Sequence, residues 1–186
     1  FLEIGPLRLD PSLNIVRMHK HSWHNVANLL IVDQPVGTGL SFTKAKDGYA
    51  GTDLAVSEQF YKFLQEFLKL HSRYASTGTV ASGGTTTVKK SRRLIMSGES
   101  HAGHYIPMMA SYIRRVNQNV LSTYQQTNNN DFTNMDAWIS LDGIALGNPW
   151  IDPMTQYDVS GYAHALGLIT LSHERTLKDI NREGQS

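Results

Sequence analysis

Leu94-Ile95-Met96-Ser97-Gly98-Glu99-Ser100-His101-Ala102-Gly103-His104-Tyr105 is the stretch whose reading decides the fold. A short apolar run gives way to small residues around one serine. A helical pattern then starts at Tyr105, Met108, Met109, Tyr112, Ile113 and Val116. That order predicts a strand, a sharp turn and a helix. A serine at the apex of such a turn has its hydroxyl lifted clear of neighbouring side chains, as in a nucleophile elbow. The helix behind it would aim its N-terminus at the same spot, where free N–H groups and the helix dipole stabilise a developing oxyanion. The usual elbow pattern Gly-x-Ser-x-Gly would put glycine at position 102. Ala102 stands there with Gly103 next, and alanine is small enough to keep the steric logic.

Working outward, Asn28 to Val32 is a continuous apolar run of the kind expected of a buried central strand. It leads into Asp33-Gln34-Pro35 and then Gly37-Thr38-Gly39, which lacks the Lys-Ser/Thr of a phosphate loop. Residues 1 to 27 read as short strands and turns broken by Pro6 and Pro11. His19, His21 and His24 fall close together but have no spaced carboxylate beside them, so they read as a surface cluster rather than a metal site. Thr52 to Leu70 is the clearest helix, with Thr52 or Asp53 as its cap and an aromatic stripe for the core.

Residues 75–93 read as a polar surface insertion. It ends in Lys89-Lys90-Ser91-Arg92-Arg93, taken as a solvated loop end in preference to an anion site or a cleavage site. Residues 125–136 form a second polar insertion. Ile139 to Leu146 is the next strand, interrupted at Asp142-Gly143. Met154 to Ala165 is expected to be one helix stopped by Gly167, and Ser172 to cap another running to about Asn181. Strand and helix alternate, which predicts an α/β fold: a mostly parallel sheet with helices on both faces.

A 186-residue chain with 40% hydrophobic residues is enough for one domain with a core. A formal net charge of +1 gives no argument for a nucleic-acid partner or an anionic membrane. The absence of cysteine excludes disulfides and cysteine-based zinc sites within this sequence. No apolar run of about 18 residues exists to span a bilayer, and no Asn-x-Ser/Thr glycosylation sequon occurs. The sequence opens mid-pattern at Phe1-Leu2-Glu3 without a methionine, as an excised piece would.

Gly98-Glu99-Ser100-His101-Ala102-Gly103 resembles the Gly-Glu-Ser-Tyr-Ala-Gly signature of serine carboxypeptidases. Three more stretches resemble that family in the same order: Phe1 to Pro6, Ser22 to Phe42, and Gly143 to Pro153. The resemblance implies an α/β-hydrolase fold, partial in this chain, with residues 154–186 beginning a helical cap region. It places the turn at Gly37 to Gly39 beside the active-site cleft.

It further implies hydrolysis of the C-terminal residue of peptides through an acyl-enzyme on Ser100, without metal or cofactor. The backbone N–H of His101 would be one oxyanion donor, and its side chain, where the family has tyrosine, would line the substrate pocket. Glu3 and Glu99 match two acids that recognise the substrate's C-terminal carboxylate. A close carboxyl pair shares a proton and can donate it, so such binding would be strongest in acid. The family's triad acid and histidine come later in the chain, and its second oxyanion donor comes from an upstream glycine segment. Neither is assignable here.

The implied location is secreted or lysosomal/vacuolar, although the family's usual disulfides have no counterpart. Two alternatives stay open: a carboxypeptidase-like acyltransferase, and an inactive binding module of the same fold. Oligomeric state is not readable from the sequence.

Overall fold

In the computed structural model, residues 5–12, 14–80, 86–90, 92–127, 131–132 and 138–184 are described. The chain divides into two units, Phe1–Phe42 and Thr43–Ser186.

In the first unit, strands β1 (Leu7–Asp10) and β2 (Ile15–Met18) pair antiparallel, with Leu7 opposite Met18 and Asp10 opposite Ile15. Asp10 ties the turn between them, its carboxylate accepting from the Ser12 hydroxyl at 2.6 Å. Asn14 takes the left-handed conformation (φ +49°) there, which asparagine tolerates better than most residues. The His19 and His21 rings meet edge to face at 6.2 Å. Burial first, then Arg8 and the neighbouring His21 and His24, hold the His19 imidazole below its ordinary value. No group of three or more His, Cys, Asp or Glu converges as metal ligands among the described residues.

The buried strand expected at Asn28 to Val32 is not formed. These residues belong to no strand, and Leu29, Leu30 and Ile31 are exposed. The reason lies in where the hydrogen bonds go. A helix closes its bonds within one segment, whereas a strand needs a neighbour, and no described strand pairs with this one. The loop after it is well built. The Asp33 carboxylate accepts the Leu40 N–H at 2.8 Å, and the Ser41 hydroxyl donates to the Asp33 carbonyl at 2.6 Å. Gly39 closes the turn at φ +54°, and a Cβ there would sit 2.2 Å from the Asp33 carboxylate, so only glycine fits.

The second unit begins with α1 (Asp53–Leu70), capped by the Thr52 hydroxyl accepting from the Ala55 N–H. Its inward face carries Val56, Tyr61 and Leu64. Residues 75–93, expected as a loop, instead form β3 (Ser76–Val80) and β4 (Thr86–Lys90), an antiparallel pair. The alternative rule won here. Thr77, Thr79, Val80, Thr86, Thr87 and Val88 are β-branched and favour extended pairing, while the Ser, Gly and Thr content had suggested turns.

Strand β5 (Ile95–Glu99) runs into helix α2 (Ala102–Thr127). The second polar insertion contributes β6 (Asp131–Phe132), which pairs with β3, so the two insertions join in one sheet of order β4-β3-β6. Strand β7 (Gly143–Gly147) returns parallel to β5, Ile95 opposite Gly143 and Glu99 opposite Gly147. A parallel return of this kind requires a crossover, which α2 supplies.

The expected strand at Ile139 to Leu146 is therefore shorter, and Asn117 explains what holds its first residue. The Asn117 side-chain amide donates to the Ile139 carbonyl at 2.8 Å and accepts the Ile139 N–H at 3.2 Å. A helix side chain thus replaces a strand neighbour at a buried residue.

The core joins Val56, Tyr61 and Leu64 of α1, Met96 of β5, Ile106, Met109 and Ile113 of α2, and Ile139. Tyr61 meets Tyr112 edge to face at 5.5 Å. Burial, then Tyr112, pushes the Tyr61 hydroxyl up to about 12. Along β5 the burial alternates, Met96 inside and Ile95 59% exposed. Helix α2 packs against β5 and β7, and Met96 faces the core it shares with α1 and α2.

Beyond β7, one expected helix is two: α3 (Pro153–Gln156) and α4 (Ser160–Ala165). Asp158 causes the break, its carboxylate accepting both the N–H and the hydroxyl of Ser160 and restarting the chain. Helix α5 (Leu171–Gly184) starts earlier than expected, because Thr170 rather than Ser172 takes the capping bond, accepting the His173 N–H at 3.3 Å. Against α4, His164 meets the Ile169 carbonyl at 3.1 Å and lies 3.9 Å from Glu174. No helix among the described residues is long and apolar enough to cross a membrane.

Candidate active site

The end of β5 is where sequence and geometry coincide. Glu99 closes the strand, and Ser100 turns the chain with φ +54°. Left-handed backbone costs a non-glycine residue about 1–3 kcal/mol and persists only where the surroundings fix it. Three hydrogen bonds do so. The Ser100 N–H donates to the Gly147 carbonyl at 3.0 Å, extending the β5–β7 ladder by one step. The Ser100 carbonyl accepts from the N–H of Gly103 at 3.0 Å and from that of Trp150 at 2.8 Å. Asn148 is also left-handed, at φ +40°, and turns the chain after β7 so that Trp150 reaches the elbow.

Two glycines allow this closeness, and each answers to a specific neighbour. A Cβ on Gly98 would meet the Ala102 Cβ at 2.6 Å and the Ile106 Cδ1 at 2.7 Å. Strand and helix therefore touch across Gly98, and Ala102 occupies the space that a glycine at position 102 would leave empty. A Cβ on Gly103 would meet the Trp150 N at 2.7 Å, its O at 2.8 Å and the Pro149 Cβ at 2.9 Å. Gly103 is thus the position where the second backbone approaches. The shift of glycine from 102 to 103 leaves the elbow intact.

Ser100 and His101 are both exposed. Among the described residues no hydrogen bond occupies the Ser100 hydroxyl or the His101 N–H. The His101 N–H is a free donor immediately after the serine, at the start of a 26-residue helix, which is the position an oxyanion donor requires.

The His101 ring is engaged away from the serine. It lies edge to face on Tyr105 at 4.8 Å, 5.1 Å from Trp150 and 5.5 Å from His104. His104 in turn sits edge to face on Trp150 at 4.9 Å, and Tyr157 of α3 meets Trp150 at 6.0 Å. His104 Nε2 and Trp150 Nε1 are buried and have no hydrogen-bond partner among the described residues. This aromatic cluster was not anticipated from the sequence. The signal for it was Pro149-Trp150 directly after the Gly147-Asn148 turn, facing a glycine in the elbow.

Glu99 is exposed at the end of β5, beside the serine as expected. Glu3 lies outside the described residues. The turn at Gly37 to Gly39 belongs to the first unit, and the elbow to the second. His164 and His173 stand in or beside α4 and α5, engaged there with Ile169, Glu174 and Thr170.

A sequence model described as serine carboxypeptidase matches residues 1–185. A pheromone-processing carboxypeptidase KEX1 from Phytophthora infestans is 41% identical over 178 residues, covering 96% of this chain and 26% of that protein. A serine carboxypeptidase from Dictyostelium discoideum is 37% identical, over 97% of this chain and 28% of its own length. Among solved structures, the prohormone-processing carboxypeptidase Kex1(delta)p from Saccharomyces cerevisiae superposes with a TM-score of 0.64 at 25% identity. It covers 99% of this chain and 36% of that one. The chain therefore spans about a quarter to a third of the length of these relatives.

Proposed function

The chain belongs to the serine carboxypeptidase family, and from that premise we propose that it carries the nucleophile of an enzyme removing C-terminal residues from peptides. The observation that carries the proposal is the backbone of Ser100: left-handed, held by three hydrogen bonds, exposed, and followed by an unused N–H. In the proposed reaction the Ser100 Oγ attacks the carbonyl of the last peptide bond. The oxyanion that forms accepts the His101 N–H and lies at the positive end of α2. Collapse of this intermediate expels the terminal amino acid and leaves an acyl-enzyme, which water then hydrolyses.

Serine needs a base to take its proton, and the base needs an orienting acid. No described side chain is hydrogen-bonded to Ser100, and the ring of His101 is committed to Tyr105 and Trp150. We place both groups, and the second oxyanion donor, in the part of the family's length that this chain does not span. Glu99, with Glu3, would hold the substrate's terminal carboxylate through a shared proton, and the His101 ring would line the pocket beside it. The proposed setting is a secreted or lysosomal/vacuolar compartment. Substrate C-termini are the only partner this site calls for.

The test is Ser100→Ala in the full-length protein. It should remove turnover of a blocked dipeptide while leaving the unfolding midpoint unchanged. Turnover like that of the unmodified enzyme in a folded variant would refute the assignment.

A further inference from the structure

The opposite end of β5 has a different character. Helix α1 ends at Leu70, and a single 3-10 turn, Ser72–Tyr74, follows it. Phe67 stacks on Tyr74, with centroids 6.2 Å apart and planes 20° from parallel, and also meets His71 at 4.7 Å. The Tyr74 ring is thereby fixed. Two guanidinium groups from separate parts of the chain lie over it, Arg73 Cζ at 4.8 Å and Arg92 Cζ at 5.9 Å from the centroid. Arg93 follows directly, and all three arginines are exposed. None forms an ion pair among the described residues.

The clustering is local. The chain has 17 Lys and Arg against 16 Asp and Glu, and the nearby Asp142 carboxylate is engaged by the Leu94 N–H at 2.9 Å; among the described residues it forms no ion pair with these arginines. Two attractions within the fold explain why cations gather: the negative carbonyl end of α1 and the face of the tyrosine ring. Neither uses the hydrogen-bonding edges of the guanidiniums. Those edges are the fork that binds oxyanions. In the sequence, Lys89-Lys90 leads into Arg92-Arg93, and a basic run of this kind is a pattern of heparin-type and nucleic-acid surfaces.

We propose that Arg73 and Arg92, set over the Tyr74 ring, together with the exposed Arg93 that follows in the chain, dock a sulfated polysaccharide. Sulfate needs only the guanidinium edges, which form no ion pair among the described residues. A single-stranded nucleic acid would in addition need an open aromatic face for its bases, and Tyr74 is already covered by Phe67 and the arginines. Arg93 precedes and Ser100 follows the five-residue strand β5, whose own length is about 13 Å at ~3.3 Å per residue. A bound polysaccharide therefore holds the protein by the end remote from the elbow and leaves Ser100 open.

The experiment uses the full-length protein and heparin as the probe, with affinity measured across a salt series. The expected result is saturable binding that weakens with salt. The triple variant Arg73→Gln, Arg92→Gln, Arg93→Gln should lose at least about tenfold in affinity. By analogy with single-stranded polyanions, its slope of log K against log salt should be shallower by ~0.7 for each ion pair removed. Its unfolding midpoint and its turnover of a small blocked dipeptide should not change, and Arg114→Gln with Arg115→Gln should leave heparin binding intact. Heparin binding that survives the triple substitution would overturn the proposal. So would unsulfated hyaluronan, polyglutamate or an oligonucleotide of equal charge binding these arginines as tightly as heparin does.

Discussion

Gly103→Ala tests the close approach at the elbow. The added Cβ would lie under 3.0 Å from three atoms, of which the Trp150 N and O belong to backbone. Backbone cannot swing aside as a flexible side chain can, so the Pro149-Trp150 segment has to retreat. That retreat stretches the 2.8 Å bond from the Trp150 N–H to the Ser100 carbonyl. Overpacking of this kind costs about 1–3 kcal/mol. Alanine in a helix recovers about 1 kcal/mol relative to glycine, so the net expectation is a loss of up to about 2 kcal/mol.

Two measurements on the full-length protein separate these terms: the unfolding midpoint, and hydrogen exchange at the Trp150 amide. The expected outcome is a lowered midpoint with faster exchange at Trp150. Gly184→Ala, at the end of α5 with nothing within 4 Å of its Cβ position, is the control and should not lower the midpoint. A Gly103→Ala protein that is more stable than the original, with Trp150 protection unchanged, would refute the close-contact reasoning.

Asn117→Leu should destabilise by about 1–3 kcal/mol, read from denaturant unfolding, because the backbone N–H and C=O of buried Ile139 lose their partners together. In α5, the hydrogen bond from Lys178 holds the Glu174 carboxyl below its ordinary value of 4.5. The stability it contributes is therefore complete above about pH 4.5 and lost as pH falls through its lower folded value. Glu174→Gln should flatten that acid-side loss, seen as a smaller shift of the unfolding midpoint between pH 7 and pH 3. Asp158, held low chiefly by its Ser160 hydrogen bonds, leaves a residual slope. The 186-residue chain on its own should not label at Ser100 with a fluorophosphonate, because removing one oxyanion donor alone costs about 10²–10³-fold and the proposed base is missing too. Stoichiometric labelling, read by mass spectrometry, would reveal a base among these residues.

What was legible in the sequence was local. Helix α1 with its Thr52 cap, and the strand-turn-helix around Ser100, depend on residues a few positions apart, where periodicity and capping act directly. Asn28 to Val32 misled because apolar composition shows that a segment can be a strand but not that a neighbour is there to pair with it. The two polar insertions misled in the opposite sense. Composition marks them as loops, yet β3 finds both β4 and β6, the latter across more than fifty residues. The Trp150 contacts at the elbow and the Arg92 contact on Tyr74 are likewise encoded by partners distant in sequence, so no window of neighbouring residues contains them.

The Asn117 amide also bears on the order in which this fold can assemble. Pairing β5 with β7 directly means closing a loop of 48 residues, from Ile95 to Gly143. Once α2 has formed, Asn117 and Ile139 need close only 22, and β7 begins four positions further on. Closure entropy grows with the logarithm of loop length, so halving the loop lowers the barrier by about 0.6 kcal/mol, and the helix delivers β7 already near its register. Asn117 acts as a clasp that is fastened before the parallel strands meet, and removing it should slow refolding as well as lower stability.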